Sequence, residues 1–247
     1  MVNPKPVFEN QMKPSPENPF PGCDGGDPGS QNRPSVWVFG LEPGWSVRDE
    51  EEYDEANHED TRFANYEVDL QLGWPFNRNA FKLLSSIDGF PTSGYREFAK
   101  ERRIFERNSQ GYFKGNLYPI PFNNMAAWDA DTSRNTGFSS KSDYQKWCRS
   151  TRFPILREWV KKHRPRLLVC AGVTAIPEYI DAFGIADLKV ATFSVNGYKK
   201  AVYYGELPTH APAVIVPHLS GGSHGLNSNE AIGLVGSFIR GELLGEF

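Results

Sequence analysis

Apolar residues along this chain gather in a few short, unbroken runs. SVWVFG (35–40), RLLVCAG (166–172) and APAVIVP (211–217) each hold a continuous apolar stretch bounded by Gly or Pro. Runs of that length predict strands buried on both faces, as in a parallel sheet. Other segments carry helical spacing. RNAFKLLSSI (78–87) places Phe81, Leu84 and Ile87 on one face, and GYREFAKERRIFER (94–107) predicts a further helix. KSDYQKWCRSTRFPILREWVKKH (141–163) predicts one long helix or two, because Pro154 must break or kink it. VTAIPEYIDAF (173–183) and NEAIGLVGSFIRGELL (229–244) complete the helical set. GNLYPIPF (115–122) reads as a strand running into a proline-broken loop. LKVATFSV and YKKAVYYGEL flank Asn196-Gly197, a strong hairpin signal. Buried strands alternating with helices predict an α/β fold, a three-layer α/β/α sandwich with a mostly parallel central sheet.

The pattern is different before residue 35. Residues 1–34 are rich in Pro, Gly and Asn and lack periodicity. They are expected to form an extended or disordered arm, leaving a single α/β domain over 35–247.

Composition narrows the class. The 247 residues are 39% hydrophobic and 23% charged, ordinary values for a globular chain with a real core. No run approaches the roughly 20 apolar residues of a membrane span. The first residues lack the apolar stretch of a secretory signal, so the expected location is cytoplasmic and the expected state monomeric. Cys23, Cys148 and Cys170 are scattered, which argues against a disulfide framework, a four-thiolate metal site or an iron–sulfur cluster. No metal and no cofactor is expected. Net charge is −3 and the pI is about 6.0, not the bulk signature of a nucleic-acid binder. The charge is uneven, however: RDEEEYDEANHED (48–60) is acidic, whereas KERRIFER (100–107) and KKHRPR (161–166) are basic. A local basic face can still meet phosphates, although each run also fits a solvated helix face.

Candidate chemistry sits where predicted strands end. GLEPG follows the first run, NLYP lies around 116, and PHLSGGSHG follows Val216. If these strands are parallel, the three turns share one rim, where α/β sheets bind ligands. They carry a carboxylate, Glu42, an amide, Asn116, and an imidazole, His218. That set suits recognition of a planar heterocycle and stabilisation of charge in a transition state. Taken singly, each has a plainer role: Glu42 as a solvent-facing turn residue, Asn116 as a turn cap, His218 as a structural histidine.

In these motifs the sequence resembles the uracil-DNA glycosylase superfamily. GLEPG is similar to that family's first motif, with Glu42 at the position that activates or orients water. GWPFNRNAFKLL matches the context of the aromatic that stacks on the base, pointing to Phe76, and GNLYP matches the Asn that reads the base edge, here Asn116. LREWVKKHRPRLLVCAGVTA matches the helix and strand that follow, and HLSGGSHG resembles the His-Pro-Ser motif with its wedge loop. The likeness runs in order from about 36 to 244. Glu42 stands where Asp or Asn is commoner, Leu219 replaces the usual Pro, and the four cysteines of the iron–sulfur branch are absent. The resemblance implies a DNA glycosylase that flips a nucleotide out of the stack and excises its base. Glu42 would stabilise the sugar cation and His218 the departing base; Phe76 and Asn116 would hold the base. Ser46, Ser220 and Ser223 would bind flanking phosphates, and His224 or Leu226 would act as the wedge. The strict uracil enzymes carry a bulky Tyr where this chain has Gly44, so Gly44, with Trp45 beside it, implies room for a 5-substituted pyrimidine. The extreme case is similar to an anti-phage glycosylase that removes glucosylated 5-hydroxymethylcytosine. The rival expectations are a catalytically inactive nucleic-acid-binding module on the same fold, and a small-molecule hydrolase on a flavodoxin-like sheet.

Overall fold

The computed structural model describes residues 3–43, 67–120 and 128–246. The apolar runs form strands as the pattern predicts: β4 (Val36–Gly40), β6 (Leu167–Ala171) and β9 (Pro212–Val216). With β5 (Tyr112–Asn116) they make a parallel centre in the order β5-β4-β6-β9. β1 (Cys23–Gly26) pairs antiparallel outside β5, and the hairpin β7 (Ala186–Val195) and β8 (Tyr198–Glu206) adds antiparallel to β9. The result is a seven-stranded sheet with a parallel core and antiparallel edges. A small ribbon of β2 (Gly29–Ser30) and β3 (Arg33–Pro34) lies outside it.

Strand residues alternate between two apolar layers because successive side chains point to opposite faces. Val36, Val38, Leu167, Val169, Val214 and Val216 face one layer, built with the helices Pro75–Ile87, Tyr95–Arg102 and Asn229–Phe238. Trp37, Phe39, Leu168, Cys170, Ala213 and Ile215 face the other, with the helices Lys141–Trp147, Phe153–His163 and Ile176–Phe183. Helices on both faces of the sheet give three layers. Every residue of β4 and β6 is buried, which explains why their sequences lack alternation.

Two local expectations resolve in specific ways. Asn196 (φ 51°) and Gly197 (φ 79°) both take the left-handed conformation that a two-residue hairpin turn demands. Pro154 does break the α-helical ladder. It sits in the first turn of Phe153–His163, and a π-helical turn, Cys148–Arg152, joins that helix to Lys141–Trp147 without a loop.

The N-terminal segment departs from the expectation of an extended or disordered arm. Pro4–Gln11 is a helix, capped by the Asn3 side chain. Its Phe8 is buried against Phe138, Tyr144 and Trp147, while Phe20 packs on Phe113 and Trp159. β1 then covers the edge of β5, which would otherwise present unpaired backbone groups. Glycine permits that approach: a Cβ on Gly26 would lie 2.1 Å from the Tyr112 carbonyl oxygen. The Gly content that suggested disorder is what lets the segment join the sheet.

Candidate active site

The carboxyl ends of β4, β5, β6 and β9 share one rim, since the four strands run parallel. A cavity of about 560 Å³ opens there, between the segments leaving β4, β6 and β9. Glu42, Gly172, Thr174, His218, Ser223 and His224 are among its lining residues. The turn after Gly40 is tied down by backbone bonds from Leu117 to Gly40 and from Tyr118 to Leu41, so β4 and β5 leave the sheet together.

Glu42 is not a solvent-facing turn residue. Its side chain is only 6% exposed, and Oε2 accepts from Lys141 Nζ at 2.9 Å. Oε1 is buried and has no hydrogen-bond partner among the described residues. A buried, unpaired carboxylate oxygen is costly unless a ligand or water meets it. Burial holds the Glu42 pKa above its ordinary 4.5, and the Lys141 hydrogen bond and charge pull it back down.

Lys141 is a site residue that the sequence reading missed. It occupies the first position of the helix Lys141–Trp147, after the N-cap Ser140. A cation there opposes the helix dipole, which favours negative charge at that end. That misplaced charge was the available signal of a buried partner.

His218 is held by its own turn. Its Nδ1 accepts from the Ser220 backbone N–H at 3.2 Å and lies 2.6 Å from Ser220 Oγ. An Nδ1 that accepts leaves the proton on Nε2, so the neutral imidazole offers an Nε2–H donor. Desolvation lowers its pKa below the ordinary 6.5, which keeps the ring neutral at pH 7. Ser220 is thus engaged in orienting His218. The Phe76 ring contacts the imidazole edge-on, with centroids 5.8 Å apart, and Lys114 Nζ lies over that ring at 5.4 Å.

Asn116 is buried, but its amide is already engaged. Nδ2 lies 3.2 Å from both carboxylate oxygens of Asp24, and Asp24 also pairs with Lys114 at 2.9 Å. Its Oδ1 rests over Gly40, where a Cβ would come within 2.6 Å. Asp24 comes from β1, so its part in the site was hidden by the reading of residues 1–34 as an arm. Arg152 secures the same corner. Its buried guanidinium donates to the carbonyls of Pro21, Gly22, Asn116 and Leu117 at 2.6–3.1 Å.

Glu42 and His218 therefore line one cavity, Phe76 touches His218, and Asn116 lies at the adjoining β5 end. The loop after His218 is closed by the Leu226 N–H on the His218 carbonyl at 2.8 Å. Its tip, including Ser223 and His224, is exposed. Leu226 is fully buried in the core, which corrects its assignment as a wedge: its side chain anchors the loop from below. Gly44, Trp45 and Ser46, and the acidic run 48–60, lie outside the described residues. Among the described residues, no cluster of His, Cys, Asp and Glu is placed to hold a metal ion, and no helix is long and apolar enough to cross a membrane. No protein-family model matches the chain, and no curated protein matches it.

Proposed function

We propose that the protein is a DNA glycosylase of the uracil-DNA glycosylase type, cleaving the N-glycosidic bond of a flipped pyrimidine. One observation carries the reading: a buried carboxylate with one oxygen held by Lys141 and the other unpaired, in a cavity that also receives a neutral histidine. Loss of a base by this route leaves positive charge on the sugar and negative charge on the departing ring. Glu42 supplies fixed negative charge for the first and an acceptor that can orient the attacking water. His218 supplies an Nε2–H donor for the second, without itself carrying a charge. Preorganised groups of this kind account for large parts of enzymatic rate enhancement. Phe76 and Asn116 are not among the residues lining the cavity; Phe76 reaches it through its contact with His218, and Asn116 lies at the neighbouring end of β5. With Asn116 Nδ2 held by Asp24, its Oδ1 is the part left to read the ring, and an acceptor there suits an N–H donor on the base edge. By the resemblance, Gly44 stands where the strict uracil enzymes carry a Tyr, and on that ground the proposed substrate class extends from uracil to 5-substituted pyrimidines, including glucosylated 5-hydroxymethylcytosine.

The test is incubation with single- and double-stranded DNA carrying uracil, thymine mismatches or bulky 5-modified cytosines, followed by alkali to cut abasic sites. Strand cleavage with at least one of these bases is expected. Binding of the same DNA without abasic-site formation on any of them would instead favour the inactive nucleic-acid-binding module.

A further inference from the structure

A second cavity, about 350 Å³, lies beside the first and shares Gly222 and Ser223 with it. The hairpin β7–β8 forms one wall through Asn196, Tyr198 and Lys200, and Asn227 and Ser228 form another. Lys200 is 7% exposed, so its ammonium is largely removed from bulk water. It donates to the Ser223 carbonyl at 2.5 Å and lies 5.8 Å from the Tyr198 ring centre. Among the described residues no carboxylate pairs with it. Glu230, the carboxylate at this corner, is held instead by the Asn196 amide at 3.3 Å. A buried ammonium with one neutral acceptor and two spare N–H donors is an expensive arrangement in a resting protein. Ser228 adds the N-cap of the helix Asn229–Phe238; its hydroxyl already takes the Ala231 N–H, and the helix dipole favours negative charge at this end, where Glu230 also lies in the first turn.

We infer that this second cavity is a phosphate subsite, in which Lys200 meets a phosphodiester of the strand whose nucleotide enters the larger cavity. The geometry is suited to that connection, since the exposed Gly222–Ser223 step lines both spaces. The source of the phosphate rests on the proposed DNA activity; the anion chemistry of the cavity does not. Lys200 recruits an anion on the far side of the loop from Glu42, so substrate is attracted without adding charge beside the reacting bond.

The test compares wild type with Lys200→Met and Lys200→Arg. Binding is measured to a short single-stranded DNA containing a stable abasic-site analogue over a salt series, with inorganic phosphate and a free nucleoside monophosphate as separate arms. Lys200→Met is expected to weaken DNA binding by about tenfold and to lower the slope of log Kd against log salt by about one. Its melting temperature should be unchanged or higher, because an unpaired buried charge has been removed. Lys200→Arg should keep the slope. If Lys200→Met leaves affinity and slope unchanged, or lowers the melting temperature, Lys200 is a structural clamp on the Ser223 carbonyl and the inference is overturned. Lys200-dependent binding of the small phosphates but not of DNA keeps the subsite and assigns it to a free nucleotide. Lys200-dependent DNA binding without base excision removes the glycosylase reading and leaves the subsite standing.

Discussion

At the residue scale the proposed chemistry turns on the ionisation of Glu42. The group must be charged to stabilise a sugar cation, and it loses that charge as pH falls through its folded pKa. Burial places that pKa above 4.5, so the acid limb of the single-turnover rate should lie above the range of an exposed glutamate. His218, lowered below 6.5, stays neutral through pH 7 and does not limit the rate there. Lys141→Met removes the ammonium that offsets burial at Glu42, so the acid limb should move to still higher pH. An unmoved limb in that variant would show that the pair is uncoupled from the chemistry. Gly44→Tyr should abolish excision of a bulky 5-modified base while sparing uracil. Equal loss of both, or of neither, in a side-by-side excision assay would contradict the open 5-position.

At the scale of elements, the segment before β4 supports the site rather than trailing from it. Arg152 joins Pro21 and Gly22 to the carbonyls of Asn116 and Leu117, and Asp24 fixes the Asn116 amide. Arg152→Met leaves those carbonyls buried without donors, at about 1–3 kcal/mol for each unsatisfied group. The expected result is a loss of about 3 kcal/mol or more in urea unfolding with an unchanged m-value; a change below about 1 kcal/mol would contradict the clamp. The strands β4, β6 and β9 were legible because burial on both faces requires unbroken apolar runs. The Asn196-Gly197 turn was legible because few residues tolerate its backbone. β1 was not, since CDGG has no apolar run and its place depends on an edge that another segment creates. Asp24 was hidden for a related reason, since it acts through a partner far away in sequence; Lys141 left one local trace, a cation at the start of a helix, but nothing that named Glu42 as its partner.

At the scale of the whole molecule, a net charge of −3 coexists with binding of a polyanion only if cations are concentrated near the site. Lys200 behind the loop is such a charge, whereas Lys114, over the Phe76 ring, is already paired with Asp24. Three of the four strands on the shared rim were legible as apolar runs; the fourth, expected at 115–122, is Tyr112–Asn116, and of the expected site residues Glu42, His218, Ser223 and His224 line the cavity. What the order did not reveal is that Asn116 and Ser220 are already engaged, because hydrogen-bond partners are set by packing. The proposed function rests most heavily on the Glu42 carboxylate as the source of charge for base excision. Its most direct test is the single-turnover excision rate of Glu42→Gln on whichever base the wild type removes, with unfolding curves for both proteins. A fall of about a hundredfold or more is expected, with the fold retained. A folded Glu42→Gln variant that excises the base at the wild-type rate would contradict it.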